Sequence, residues 1–242
     1  MAINFQNVAD KVTDQGVKIL VPGDPGVGKT VLASTTNEPT LLIDAEAGTM
    51  SIRNAKHIKV FSVTSDEPLA QIFPVLEYLR SNNDQKFKWV VIDSISELAE
   101  MVLTQEKTNF KNGMKAYGEM ADKMIPFCKA FRDLEGMNVV MTAKLKDEKD
   151  PEAGTIEHRA SAPGKQLSAQ LPYLFDLVLP LRIIKNPDGE TERWLMCEGD
   201  QGWIAKDRSG KLDKWEEPNL AAIRDKVVGK PINSKPTAVK AA

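Results

Sequence analysis

Residues 23–30 read Gly23-Asp24-Pro25-Gly26-Val27-Gly28-Lys29-Thr30 and satisfy the pattern GxxxxGK[ST]. An apolar segment that reads as a strand, residues 17–22, precedes them, and a segment with helical spacing follows. In this setting the glycines let successive backbone N–H groups face a β-phosphate, and the helix adds its positive N-terminal end. The stretch therefore predicts a loop that binds the phosphates of a nucleotide.

Short apolar segments alternate with stretches whose apolar residues lie three and four positions apart. This alternation is typical of an α/β domain with a mostly parallel central sheet and helices on both faces. The predicted strands are residues 17–22, 40–44, 57–63, 88–93 and 138–143. The predicted helices between them are residues 29–36, 68–79, 95–108 and 117–134.

The C-terminal part of the chain differs in composition and in predicted secondary structure. Residues 145–164 are polar and of mixed charge, which predicts a long loop. Residues 174–185 and 190–197 flank a turn cluster and predict an antiparallel hairpin at the end of the sheet, before a last helix at 218–228. We therefore expect one domain over residues 1–228 and a flexible basic tail over 229–242.

The composition excludes several classes of protein. A hydrophobic fraction of 42% with only 15 Gly and 14 Pro excludes a disordered or collagen-like chain. The sequence has no apolar run long enough to span a bilayer and no signal-like start, so we expect a cytoplasmic protein without a membrane partner. Two cysteines far apart and two histidines argue against a structural zinc site. A net charge of −2 argues against general affinity for nucleic acid, although a local basic patch stays possible.

Three residues extend the phosphate loop into a site for ATP and Mg²⁺. Lys29 is expected to reach the β and γ oxygens, and the Thr30 hydroxyl to ligate magnesium. Asp93 ends a predicted strand and is the natural partner for that magnesium; the alternative is an N-cap of the next helix. Glu46 follows another strand and could polarise the attacking water; the alternative is a solvated loop acid. The predicted nucleotide-binding residues are Gly23, Asp24, Pro25, Gly26, Val27, Gly28, Lys29, Thr30 and Val31.

Together, the phosphate loop, the Ile43-Asp44-Ala45-Glu46 segment and the Val91-Ile92-Asp93-Ser94 segment resemble the RecA-type P-loop ATPase core. Within that superfamily the chain is similar to phage RecA-like nucleotide-binding proteins, including the single-strand annealing recombinases. The resemblance covers roughly residues 15–228 and is carried further by residues 163–167, 171–176 and 205–212.

The resemblance implies a homo-oligomer, either a filament or a ring, with ATP between protomers. Lys206 and Arg208 match cations that a neighbouring protomer supplies to the developing γ-phosphate charge. The alternative for both is a solvated charged turn. Lys144, or Thr142 two residues earlier, stands where such recombinases carry a γ-phosphate sensor.

The resemblance also implies contact with single-stranded DNA at two places, near residues 109–115 and 145–164. The second is a poor electrostatic match, since residues 145–165 hold four cations and five acids. Residues 107–132 hold six cations and two acids, a net charge of +4, with aromatic residues between them. The alternative is a solvated helix face. The candidate DNA-binding residues are Lys107, Lys111, Lys115, Tyr117, Lys146, Arg159 and Lys165.

These features favour a Mg²⁺-dependent ATPase that oligomerises on single-stranded DNA and promotes annealing or strand pairing, with a single-strand DNA-binding protein as a candidate partner. Two alternatives stay open: a helicase-related motor or loader, and a nucleotide-gated binding protein with little turnover. A P-loop kinase fits less well, because the sequence has no clear Arg-rich lid segment.

Overall fold

The computed structural model describes residues 16–149, 154–186 and 188–229. The main sheet contains β1 (Lys18–Gly23), β2 (Thr40–Asp44), β3 (Ile58–Ser62), β4 (Trp89–Asp93), β5 (Asn138–Lys149), β6 (Ile156–Ser161), β7 (Leu177–Val178) and β10 (Lys206–Asp207). The helices are α1 (Lys29–Leu32), α2 (Pro68–Ser81), α3 (Ile95–Asn109), α4 (Gly113–Arg132), α5 (Lys165–Leu174) and α6 (Leu220–Val228). A short 3-10 helix, Ala33–Thr36, extends α1.

The strand order in the main sheet is β10-β7-β1-β5-β4-β2-β3. Strands β7, β1, β5, β4, β2 and β3 are mutually parallel, so their carboxyl ends meet at one edge of the sheet. Alternate residues of β1 enter two separate cores, with Leu20 on one face and Ile19 and Val21 on the other. The prediction of a mostly parallel α/β fold of the P-loop NTPase type is therefore confirmed.

The prediction of a long loop at residues 145–164 is wrong over much of that stretch. Strand β5 continues to Lys149 and pairs antiparallel with β6. The register places His158 opposite Asp147, with Nδ1 and Oδ1 2.6 Å apart, whereas Lys146 faces Arg159 and Glu148 faces Glu157. The backbone pairing of the two strands therefore forms a solvated hairpin without an apolar pattern.

The C-terminal hairpin is present, but it does not extend the main sheet. Strands β8 (Leu181–Lys185) and β9 (Thr191–Met196) pair antiparallel and form a second sheet with β11 (Trp215–Glu216). The predicted strand at 174–185 is divided, because β7 joins the main sheet beside β1 before the chain turns into β8.

Helix α4 begins earlier than the sequence indicates. Asn112 caps it by accepting a hydrogen bond from Met114 N at 3.0 Å. None of the helices in the described part of the chain is both long and apolar enough to cross a membrane. The predicted tail lies outside the described residues apart from Gly229, which ends α6 with φ 76°.

Candidate functional site

The phosphate loop connects the carboxyl end of β1 to α1. Gly26 and Gly28 have φ values of 74° and 108°, a region that residues with a Cβ rarely adopt, so the loop conformation favours glycine at both positions, although the motif specifies only Gly28 of the two. Lys29 Nζ donates to Gly23 O and Asp24 O, each at 2.9 Å. Burial lowers the pKa of Lys29, while the carboxylates of Glu46 and Asp93 oppose that effect. The ammonium thus lies within the loop, near both acids that the sequence analysis selected.

Asp93 is buried at the carboxyl end of β4 and accepts a hydrogen bond at each carboxylate oxygen. Thr30 Oγ1 donates to Oδ2 at 2.5 Å, and Thr142 Oγ1 donates to Oδ1 at 2.5 Å. The structure therefore brings together the two residues predicted to hold magnesium. An oxygen-only pair beside a phosphate loop fits Mg²⁺, and Thr30 and Asp93 are the residues that would hold it.

Glu46 lies beside Asp93 across neighbouring strands. Asp44 and Asp93 are register partners in β2 and β4, and Ser94 Oγ donates to Glu46 Oε1. The Glu46 backbone N–H donates to Asp44 Oδ1 at 3.1 Å, which fixes the turn after β2. A Cβ on Gly48 would lie 3.4 Å from Thr30 Oγ1, so this turn lies next to the Thr30 hydroxyl. The water-polarising role of Glu46 stays a prediction.

The two candidate sensor residues have different surroundings. Thr142 contacts Asp93 directly. Lys144 Nζ instead donates to Glu97 Oε2 at 2.7 Å, and this hydrogen bond raises the pKa of Lys144. Strand β5 therefore carries both Thr142, which contacts Asp93, and one arm of the β5–β6 hairpin.

Arg193 reaches the phosphate loop, and sequence reasoning missed it. Its Nε donates to Val27 O at 2.9 Å across 166 positions of sequence. The β8–β9 hairpin places it there, since a Cβ on Gly23 would lie 3.1 Å from Leu181 O. No local motif marks this arginine, and only the docking of the hairpin could reveal it.

Lys206 and Arg208 lie apart from the phosphate loop of their own chain. Lys206 Nζ donates to Pro172 O at 2.5 Å, and Arg208 Nη1 is 3.2 Å from Asp176 Oδ1. Strand β10 is antiparallel to β7, so Arg208 lies towards the amino edge of the parallel strands. Any action on ATP would therefore require a second protomer.

The candidate DNA-binding residues divide into two groups. Lys107 Nζ lies 5.5 Å from the Tyr117 ring centroid, and Lys115 Nζ lies 4.3 Å from the Phe110 centroid. A Cβ on Gly164 would lie 3.2 Å from Tyr117 Cδ1, which brings the start of α5 and its Lys165 to the same place. We call this group, with Lys111, the basic tip.

Lys146 and Arg159 form the second group, as register partners on the β5–β6 hairpin. Arg159 Nη1 lies 3.5 Å from Glu148 Oε2 and 3.4 Å from Glu157 Oε2. Because acids compensate its charge, this group offers less net positive charge than the basic tip.

The chain matches a known protein family. The family model described as an AAA domain matches residues 15–209, which include the phosphate loop, Asp93, Glu46 and Arg193. No curated protein matches the chain.

Proposed function

Because this chain belongs to the AAA domain family of P-loop ATPases, we propose that it hydrolyses ATP with Mg²⁺ and uses the nucleotide to act on single-stranded DNA, promoting annealing or strand pairing as an oligomer. The observation that carries the DNA part of this proposal is the basic tip, where cations and aromatic rings lie together on the carboxyl-edge side of the sheet.

The hydrolytic part rests on the order of groups along that edge. Lys29 and the loop N–H groups bind the phosphates, and Thr30 and Asp93 would hold Mg²⁺, which would supply positive charge to offset that of the phosphates. Glu46 accepts a proton from the water that attacks the γ-phosphate. Its hydrogen bond from Ser94 and the turn held by Asp44 orient the carboxylate for that step.

The DNA part rests on charge and stacking. Lysines neutralise backbone phosphates, and exposed aromatic faces stack on unpaired bases. Tyr117 is 40% exposed and Met114 is 86% exposed at the start of α4, so this surface is accessible to a strand. Tyr117 lies next to Gly164, which follows β6, and β6 pairs with the carboxyl-terminal part of β5, so the start of α4 lies on the nucleotide side of the sheet.

The oligomer part rests on Arg208. Its side chain is 55% exposed next to the edge strand β10, where a neighbouring protomer could be reached. We propose that Lys206 and Arg208 act on ATP bound to the next protomer of a filament or ring. A single-strand DNA-binding protein is proposed as a partner in the same process.

The test is ATP turnover measured with no DNA, with single-stranded DNA and with duplex DNA. We expect stimulation of several-fold by single-stranded DNA alone. Glu46→Gln should lower turnover on the order of 100-fold while ATP still binds, and Glu100→Gln, an exposed acid on α3, should leave it unchanged.

Other outcomes would favour other functions. Directional unwinding of duplex DNA would favour a helicase-related motor or loader. ATP binding without turnover by the unmodified chain would favour a nucleotide-gated binding protein. Transfer of phosphate to a small acceptor, independent of DNA, would contradict the proposal.

A further inference from the structure

Arg193 is a cation beside the phosphate loop whose charge has no partner in the described part of the chain. None of the ion pairs found there includes it, and its hydrogen bond is made through Nε alone. By contrast, the guanidinium of Arg182 on the neighbouring strand has an aromatic partner, because it lies 4.0 Å from the Trp203 ring centroid. A planar guanidinium with Nε engaged keeps the N–H groups of Nη1 and Nη2 for an anion.

Arg193 lies against two neighbouring residues of the phosphate loop. The loop accepts a hydrogen bond from Arg193 at Val27 O. It also approaches Arg193 at Gly28, where an added Cβ would lie 3.6 Å from Arg193 Nε and 3.7 Å from its Cδ. Backbone N–H groups of a GxxxxGK[ST] loop cradle the α- and β-phosphates. The guanidinium therefore lies next to the segment that holds the phosphates.

Arg193 lies on the opposite flank of the loop from the carboxylates. Strand β1 has β5 on one side and β7 on the other. Thr142, Asp93 and Glu46 all belong to the β5 side, whereas the hairpin that carries Arg193 follows β7. The terminal phosphate is expected beside the carboxylates and Mg²⁺, so Arg193 faces the other part of the phosphate chain.

We infer that Arg193 is a nucleotide-binding residue supplied in cis by the β8–β9 hairpin, and that it contacts the α- and β-phosphates shared by ATP and ADP. The inference rests on the nucleotide site of the proposed function and is independent of its DNA part. The α-phosphate keeps its charge during γ-phosphate transfer, so the contact of Arg193 with it contributes binding that is the same in the ground state and the transition state.

The test compares Arg193→Gln with Arg193→Lys and with Lys185→Gln, which removes one exposed charge from the same hairpin. Dissociation constants are measured with fluorescent ATP and ADP, and turnover at saturating ATP. We expect R193Q to weaken both nucleotides about tenfold, as for loss of a charge-assisted contact. R193K should weaken them about threefold, and K185Q should not change them.

Steady-state kinetics distinguish phosphate binding by Arg193 from a purely structural contact with the loop. R193Q should raise KM while kcat stays close to that of the unmodified chain. Equal affinities of R193Q and the unmodified chain would overturn the inference, as would a loss confined to ATP or a fall in kcat alone. Thermal unfolding without nucleotide checks the fold, and R193K decides the matter if R193Q does not fold.

The outcomes also separate this inference from the proposed function. If the unmodified chain binds no nucleotide, the inference fails together with the nucleotide site. If it binds nucleotide but its turnover does not respond to single-stranded DNA, only the DNA part of the proposed function fails. The nucleotide affinities of R193Q then still decide the role of Arg193.

Discussion

Asp93 and Thr142 show how residues that sequence reasoning treated separately act as one group. The place of Asp93 at the end of a strand predicts its role, and its contact with Thr30 follows from the shared carboxyl edge. Thr142 is one of two candidates for a sensor. The structure joins it to Asp93, because β4 and β5 are adjacent and parallel.

The Thr142–Asp93 hydrogen bond gives a stability prediction. Thr142→Val keeps the side-chain shape but leaves one oxygen of a buried carboxylate without its donor. We expect the free energy of unfolding to fall by about 1.5–3 kcal/mol. Urea denaturation measures it, with Thr142→Ser as the control that keeps the hydroxyl. Equal losses in the two variants would contradict a role for the hydrogen bond.

Lys18 gives a prediction on pH dependence. It is 5% exposed, and its Nζ donates to Leu134 O and Met137 O, each at 2.7 Å. Burial lowers its pKa from 10.5 to about 8. Between these two values the unfolded chain keeps a proton that the folded chain has released, so rising pH stabilises the folded state. The contribution over this window is up to about 3 kcal/mol.

The measurement is urea denaturation from pH 7.5 to 10.5 for the unmodified chain, Lys18→Met and Lys88→Met. The rise in the free energy of unfolding should be smaller in K18M than in the unmodified chain. K88M, which changes an exposed lysine, should keep the full rise. The same pH profile in K18M and the unmodified chain would contradict a lowered pKa at Lys18.

At the scale of elements, the β5–β6 hairpin and the basic tip are two charged regions that the sequence predicts to different extents. The sequence indicated where charge accumulates, because a count along residues 107–132 needs no structure. It did not indicate that residues 145–149 and 156–161 are strands, because a charged hairpin lacks the apolar alternation that marks a half-buried strand. Backbone pairing of β5 with β6 forms the hairpin instead.

The basic tip gives a prediction on salt dependence. Lys111→Ala combined with Lys115→Ala removes two cations that we expect to contact DNA phosphates. The slope of log affinity for single-stranded DNA against log salt should become shallower by about 1.4, or 0.7 for each lost contact. Binding isotherms at several salt concentrations measure it.

The matched control is Lys56→Ala combined with Lys88→Ala. Both lysines are exposed near the amino ends of parallel strands, so the net charge changes equally at the opposite edge of the sheet. A slope that changes as much in this control as in the tip variant would mean that the effect is due to net charge. An unchanged slope in the tip variant would place the DNA path elsewhere.

At the scale of the whole molecule, an active site shared between protomers gives a complementation prediction. A Lys29→Ala chain lacks the loop ammonium but keeps Arg208, and an Arg208→Ala chain has the reverse. If Arg208 acts on the neighbour's ATP, mixtures should form some complete interfaces and recover part of the ATPase activity that each variant lacks alone. No recovery under conditions where the mixture assembles would contradict the trans role.

The sequence by itself determined the phosphate loop, the parallel strands and the edge at which Asp93 and Glu46 lie. These features depend on local requirements: glycine at positive φ, apolar residues in buried strands, and carboxyl ends that meet at one edge. Only the tertiary structure decided that Ser94 contacts Glu46, that Thr142 contacts Asp93 and that Arg193 contacts Val27. These contacts join residues 48, 49 and 166 positions apart, so they depend on register and hairpin docking, which short-range patterns do not encode.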